Sequence, residues 1–118
     1  MNTPRVSREQ AELLKKVGYD VPTSKQEYIP YGQLPFAGYE TLFIPTLDEA
    51  TRWLRDVKGR HVYSEFDFDN GNWNYVIQDL NDIDIEISDN PFDTTDFAQS
   101  AGINLILKKL EDGTDAKG

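Results

Sequence analysis

The feature that most constrains this chain is an Asn-Gly pair at residues 70–71, set between two runs of alternating apolar and polar residues. Residues 62–68 alternate before the pair, and residues 73–77 follow it. Asn-Gly at such a position favours a two-residue turn whose twist matches that of a β-hairpin. This turn would pair Phe68 with Trp73. The sequence therefore predicts an antiparallel hairpin that carries its large apolar residues on one face.

A third alternating run at residues 83–87 completes a predicted three-stranded meander. Ile83, Ile85 and Ile87 are expected on the same apolar face as the hairpin residues, packed under helices. The acidic side chains are then expected together on the opposite face of the sheet. These acids are Glu65, Asp67, Asp84 and Glu86.

Three helices are predicted around this sheet. Ser7 and Thr46 each precede a Gln or Glu by three residues, which is the spacing of a capping box at a helix N-terminus. A third helix is expected to begin at Thr94 or Thr95 and to end near Leu110, with Gly102 as a mild weakness. Its expected buried side comprises Phe97, Ala98, Ala101, Leu105 and Ile106.

The remaining elements are two short strands, near 27–31 and 40–44, in or beside a Tyr- and Pro-rich stretch at 19–39. That stretch is interpreted as an irregular cover over the core, or as a contact surface. The fold class is therefore α+β, with a small antiparallel sheet, a three-strand meander and three helices packed on one face. The 118 residues are expected to form a single domain, 1–118. Residues 111–118 are expected to be a disordered tail.

The charge of the chain is unevenly distributed. Between His61 and Leu107 there are ten acids and no lysine or arginine, and the whole chain has a net charge of −9. Such a field bears on partners, and it argues against direct binding to nucleic acid, whose phosphates require clustered bases. The chain has no cysteine, which excludes disulfides, and no apolar run of the roughly 18 residues that a membrane helix needs. A cytoplasmic location is the expectation, with no cofactor.

The acidic sheet face admits three interpretations. It could be a solvated surface without a partner, or a docking surface on which Glu65, Asp67, Asp84 and Glu86 meet a basic protein. The third interpretation is a divalent-cation site, because Glu65, Asp67 and Asp69 lie on one side of a strand beside a turn. Self-association is also possible, if the basic residues between 52 and 60 meet the acidic face of another copy.

Catalysis has little support in the sequence. His61 is the only histidine, and neither a Ser or Cys nucleophile pattern nor a Gly-rich phosphate loop accompanies it. Paired carboxylates could serve acid–base chemistry, but an exposed sheet face would tune their pKa values poorly. The first hypothesis is therefore a non-enzymatic interaction module with an acidic face. The alternative is a cation-binding or carboxylate-based enzyme that uses residues 65–69.

Residues 44–57 read Ile-Pro-Thr-Leu-Asp-Glu-Ala-Thr-Arg-Trp-Leu-Arg-Asp-Val. The Pro-Thr start, the alanine and the Trp-Leu-Arg followed by an acid and valine resemble small uncharacterised proteins of Bacteroides-group bacteria and of their phages and mobile elements. The resemblance extends to a first helix that ends near Gly18, a hairpin with a central tryptophan at Trp73 and a last helix that begins at a threonine. The acidic third strand and Gly102 depart from that pattern. The resemblance implies an origin rather than an activity, and with it binding to a host protein becomes more plausible than housekeeping catalysis.

Overall fold

The protein is α+β, with three helices and two antiparallel sheets. The computed structural model describes residues 3–30, 38–82 and 84–112. In chain order the elements are α1 (Arg8–Lys16), β1 (Gln26–Pro30), β2 (Tyr39–Phe43), α2 (Leu47–Lys58), β3 (Arg60–Asp67), β4 (Asn72–Asp79), β5 (Asp84–Ile87) and α3 (Thr95–Glu111). Strands β1 and β2 pair as a separate ribbon, and β3, β4 and β5 form the predicted meander.

The helices begin where the capping signals predict. The hydroxyls of Ser7, Thr46 and Thr94 each accept a hydrogen bond from the backbone N–H three residues later. At the first two, the Gln10 and Glu49 side chains accept in return from the cap backbone, so both capping boxes are confirmed. The sequence therefore defines the start of each helix locally, before any tertiary contact forms.

The core lies between α3 and the helix-facing side of the meander. Helix α3 crosses β3 and β4, α2 packs against β3 and α3, and α1 packs against α3 and β2. The buried apolar residues of this cluster come from every helix, from β2, β3 and β4, and from the segments that flank α1 and precede α2. They are Val6, Ala11, Leu14, Tyr19, Leu42, Ile44, Leu47, Ala50, Leu54, Val62, Ile77, Ile103, Ile106 and Leu107.

The buried side of α3 differs from the predicted one. Ala98 and Ile106 are buried as expected, but Phe97 is 62% exposed. Gly102 is also buried, and a Cβ built on it would lie 2.5 Å from Cγ2 of Val62 and 3.2 Å from Cβ of Tyr75. The glycine predicted as a weakness thus lies at a close approach of the helix to the sheet, where a larger side chain would not fit.

The hairpin forms with a register two residues away from the predicted one. Phe66, rather than Phe68, pairs with Trp73, and Asp67 pairs with Asn72 at the last position of the ladder. The turn is a four-residue loop over 68–71, closed by a 2.8 Å hydrogen bond from Gly71 N to Asp67 O. Because the shift is an even number of residues, each side chain stays on its predicted face while the loop grows.

Strand β5 has the opposite facing to the one predicted. Glu86 pairs with Ile77, which is in the core cluster, so Glu86 and Asp84 point toward the helices. Ile85 and Ile87 lie on the outer face, 59% and 54% exposed. The expectation that the isoleucines of this strand complete the apolar face is therefore wrong for these two, and Ile83 lies outside the described residues.

Other expectations are only partly within the described residues. The two short strands form at 26–30 and 39–43, close to the predicted positions, whereas 31–37 of the Tyr- and Pro-rich stretch is not described. Of the predicted tail, Glu111 still belongs to α3 and Asp112 is its C-cap. Residues 113–118 lie outside the described part of the chain.

Candidate functional site

The four acids proposed from the sequence do not share a face. Glu65 and Asp67 point to the outer side of β3, away from the helices, because they alternate with Val62 and Ser64 on the helix side. Asp84 and Glu86 point the other way, as the pairing of β5 with β4 requires. The predicted acidic face is therefore split into two unconnected pairs, and it is no longer a candidate site.

The inward pair belongs to a small polar niche at the edge of the core. Glu86 Oε1 accepts a 2.7 Å hydrogen bond from Lys109 Nζ on α3, and Arg60 Nη1 lies 3.1 Å from Asp79 Oδ1. These groups and Asp84 line a cavity of about 80 Å³. Since each acid here has a base close by, the niche is best explained as an ion-pair network that joins α3 to the sheet edge.

The three carboxylates suggested for a metal are not brought together. Among residues 3–30, 38–82 and 84–112, no three histidine or acidic side chains are grouped as a cation would require. The Asp67 carboxylate instead accepts hydrogen bonds from Asn70 Nδ2 at 2.8 Å and from the Asp69 N–H at 3.0 Å. The Asn70 amide, with the loop N–H groups, holds the pKa of Asp67 below its ordinary 3.8. Asp67 thus organises the hairpin loop.

A cluster of aromatic side chains occupies the hairpin end of the helix-facing side. The Phe66 ring contacts Phe68 and Trp73 edge-on, with centroids 5.0 and 5.1 Å apart. Phe92 pairs with Trp73 through two backbone hydrogen bonds, which brings its side chain beside the same group. Phe97 lines a groove together with Phe92. We call these five residues, Phe66, Phe68, Trp73, Phe92 and Phe97, the aromatic platform.

The platform is exposed because the hairpin extends past the N-terminal end of α3, the helix that covers the rest of the sheet. Helix α3 begins at Thr95, where the Thr95 carbonyl accepts a 2.8 Å hydrogen bond from Ser64 Oγ. The hairpin continues past Ser64 for three more strand residues and the loop, so its helix-facing side lies beyond the end of α3. Phe68 is 88% exposed and Phe97 62%. Phe66, Trp73 and Phe92 are half-buried between these two exposed rings. Exposed apolar surface of this kind marks an interaction site more often than a single exposed apolar residue does.

A groove of about 430 Å³ continues the platform between α1 and α3. Phe92 and Phe97 form one side of it, and Ser7, Ser100 and Asn104 contribute polar groups. Its wall is held in place by Gln10, whose amide donates to the Ser100 carbonyl at 2.9 Å. The platform and groove together can accept an extended or looped segment with at least one apolar or flat side chain.

Acidic residues surround the platform and are adjacent in sequence to its phenylalanines. Asp67 and Asp69 flank Phe68, Asp93 follows Phe92, and Asp96 precedes Phe97. Burial is the main cause that raises the pKa of the Tyr75 phenol, at the base of the platform, and the charges of Glu86 and Asp89 raise it further. Asp89 therefore lies close to this end of the sheet. Within the described part of the chain, none of these five aspartates forms an ion pair, and no lysine or arginine occurs between residues 61 and 108.

Sequence reasoning identified these residues separately but not as one site. The expected turn at 70–71 placed Phe68 in the ladder, and helical periodicity placed Phe97 in the core. The available signal was the repeated adjacency of Phe and Asp in the lysine-free block, at 66–69, 92–93 and 96–97. An aromatic residue next to an acid at a loop or a helix start is poorly suited to a core, because the acid must remain solvated.

His61 lies away from the platform, on the outer face of β3 at its opposite end. Its ring stacks at a tilt on Tyr63, with centroids 5.5 Å apart, and its buried Nδ1 has no hydrogen-bond partner. Burial, together with the nearby Arg55 charge, lowers the pKa of His61 below 6.5. No serine hydroxyl or carboxylate is hydrogen-bonded to this ring among the described residues, so it lacks the partners of a catalytic base.

The chain matches no protein-family model, and no curated protein or solved structure matches it. Within the described residues, no helix is long and apolar enough to cross a membrane.

Proposed function

We propose that this protein is a non-enzymatic interaction module that binds a lysine- and arginine-rich segment of a partner protein on its aromatic platform. The observation that carries the proposal is Phe68, 88% exposed on the hairpin loop between Asp67 and Asp69. A large aromatic ring on a loop costs solubility without contributing to the core. Its position between two carboxylates matches a cationic side chain that is also flat or partly apolar.

The partner chemistry follows from the groups that surround the rings. An arginine side chain can stack its guanidinium on an aromatic face while it donates hydrogen bonds to a neighbouring carboxylate. Such a cation–π contact contributes about 0.5–2 kcal/mol, depending on how far it is desolvated. The Asp69 carboxylate is available for this role, because it has no hydrogen bond or ion pair with the residues that the structure describes.

The charge pattern favours the same partner. Six of the ten acids in the lysine-free block lie toward the hairpin loop and produce a negative field there. They are Glu65, Asp67, Asp69, Asp89, Asp93 and Asp96. That field raises the association rate with a basic surface and repels acidic ones. The rate should fall with salt, since screening at 0.15 M acts over about 8 Å. The resemblance to phage and mobile-element proteins favours a host protein as the source of the basic segment.

The test is a titration with a short arginine-rich peptide that contains no aromatic residue. We expect binding to the wild type that weakens as salt rises, and a loss of about two- to thirtyfold in affinity for Phe68→Ser, which is the affinity ratio for a lost cation–π contact. The matched control is Tyr28→Ser, because Tyr28 is 61% exposed on the β1–β2 ribbon, outside the platform. Peptide binding that is equally strong in Phe68→Ser, or equally weakened in Tyr28→Ser, would rule out the platform as the binding surface.

A second variant separates the contribution of the carboxylates to binding from that of the Phe68 ring. Asp69→Lys reverses the carboxylate beside Phe68 and should weaken the salt-dependent part of the binding more than a distant charge reversal does. Asp112→Lys makes the same charge change at the C-terminal end of α3, away from the platform. If the two charge reversals weaken binding equally, only the net charge matters and the proposed site is wrong.

A further inference from the structure

A second surface lies at the other end of the molecule, where the C-terminal ends of all three helices meet. It is a groove of about 1060 Å³, at the upper end of the size range of ligand sites in proteins. Its lining comes from the ends of α1, α2 and α3 and from the turn between β4 and β5. The side chains that matter below are Lys16, Arg55, Val57, Lys58 and Leu80.

The groove combines positive charge with exposed apolar surface. Four bases, of which Arg60 is buried and paired with Asp79, line it against two acids, Asp56 and Glu111. Those acids form ion pairs with Arg55 and Lys16 at 2.9 and 3.5 Å, and all four side chains are solvent-exposed, so a partner can replace these pairs at little cost. Val57 and Leu80 expose much of their apolar surface in the same groove.

A small inorganic anion is a poor match for this groove. Three helices end here, and the negative end of each helix dipole opposes an anion held at the helix axis. The apolar surface of Val57 and Leu80 would also stay uncovered. A better match is a segment with an apolar side chain in the centre and a carboxylate on each side, which the exposed Lys16 and Arg55 can reach from the rim. Lys58 is half-buried, and its Nζ lies 5.7 Å from the centre of the Trp53 ring.

The hairpin loop of this chain has that composition. Phe68 is flanked by Asp67 and Asp69, and the loop projects at the end of β3 opposite Arg60, a lining residue of the groove. We propose that the loop of one copy inserts into the helix-end groove of a second copy, with Phe68 against Val57 and Leu80. This assembly rests on the proposed function, since it names a second copy as a basic partner of the platform.

The interface is heterologous, because loop and groove are different surfaces on each copy. The eight residues of β3 place them about 26 Å apart along one strand. Each copy in a pair therefore keeps one unused loop or groove, and the contact repeats into open chains unless it closes into a ring. Self-association should accordingly pass beyond the dimer as protein concentration increases.

The experiment is sedimentation velocity of the full chain across a concentration series, with three variants. Phe68→Ser disables the loop, and Lys58→Glu disables the groove. Lys108→Glu is the control, since Lys108 is an exposed lysine on α3 that does not line the groove. We expect larger species for the wild type and the control, and monomers for each of the two disabled variants. A mixture of the two disabled variants should form dimers and nothing larger, because only one loop and one groove remain intact.

Leu80→Asp provides a second disruption of the groove that leaves α2 untouched, and we expect it to behave as Lys58→Glu does. A wild type that stays monomeric throughout the series, or a mixture without dimers, overturns the assembly. So does a loss of association in Lys108→Glu as complete as in Lys58→Glu. If the wild type stays monomeric but binds the arginine-rich peptide through Phe68, the second copy is wrong and the platform proposal stands. If association occurs but the peptide does not bind, the platform is specific for the groove and the wider proposal is wrong.

Discussion

Lys109 Nζ in the last turn of α3 lies 2.7 Å from Glu86 Oε1 on β5. This ion pair joins the end of a long helix to the edge strand of the sheet, and it identifies the side of β5 that faces the helices. Glu86 therefore points inward, beside Ile77, and the isoleucines that alternate with it point to solvent. The edge strand has an inverted polarity, with acids toward the helices and apolar groups outside.

Because β5 turns its isoleucines to solvent, we expect two Ile→Ala substitutions to change the free energy of unfolding by different amounts. Ile77→Ala should lower the free energy of unfolding by about 2–5 kcal/mol, because Ile77 is in the core. Ile85→Ala should change it by no more than about 0.5 kcal/mol, as is usual for exposed positions. Urea denaturation of both variants measures the difference. A cost for Ile85 that approaches that of Ile77 would mean that β5 faces the other way.

The sequence could predict the existence of β5 but not its facing. Alternation of isoleucine with acids in residues 83–87 defines a period of two, and both facings satisfy it equally. The choice depends on which side meets partners, and Lys109 stands 23 residues away in the chain. The hairpin register is a milder case, because a shift of two residues preserves both faces and only the loop geometry changes.

Local sequence patterns do not predict the aromatic platform either. The capping residue Thr94 correctly predicts where α3 begins, but nothing local indicates how far the hairpin extends past that point. Phe97 fits a helical apolar stripe and is nevertheless exposed, since it lies at the first turn where the helix leaves the sheet. Features set by a single element were thus predictable, whereas features set by the relative placement of two elements were not.

Gly102 provides a test of the close approach between α3 and the sheet. Gly102→Ala should gain about 1 kcal/mol from helix propensity but lose more, because the added methyl would overlap Cγ2 of Val62 at 2.5 Å. Overpacking a core usually costs about 1–3 kcal/mol, so after the gain in helix propensity we expect a net destabilisation of up to about 2 kcal/mol. Thermal or urea unfolding measures the change.

The double variant Gly102→Ala/Val62→Ala is the internal control for that prediction. Val62→Ala alone removes core volume and should destabilise the protein, but it also makes room for the new methyl. The cost of the pair should therefore be smaller than the sum of the two single costs, by an amount that a double-mutant cycle reports. If the two single costs simply add in the double variant, the methyl group of residue 102 does not contact Val62.

We expect His61 to contribute to the decrease in the free energy of unfolding at acid pH. Burial and the Arg55 charge lower the pKa of His61 in the folded protein below 6.5, so the unfolded chain binds this proton more readily. Stability should fall as the pH drops below 6.5 toward the folded-state pKa, and it should be independent of this group at higher pH. Comparison of unfolding free energies for the wild type and His61→Gln between about pH 7 and 5 isolates the effect. A steeper acid loss in His61→Gln than in the wild type would contradict the assigned direction.

The hydrogen bonds to the Asp67 carboxylate lead to a prediction about the hairpin loop. The Asn70 side chain donates to the Asp67 carboxylate at 2.8 Å, and this bond, with the loop N–H groups, keeps the pKa of Asp67 below 3.8. Asn70→Ala removes the strongest of these donors and should raise the pKa of Asp67, because a carboxylate that loses a hydrogen bond binds its proton more tightly. A carboxyl-carbon NMR titration reports both values directly. The Asp56 carboxylate, whose pKa is lowered by its hydrogen bond with Arg55 at the C-terminal end of α2, is the reference that should stay unchanged. If the pKa of Asp67 does not rise in Asn70→Ala, the amide is not what holds the loop, and the loop N–H groups of Asp69 and Asn70 must account for the shift.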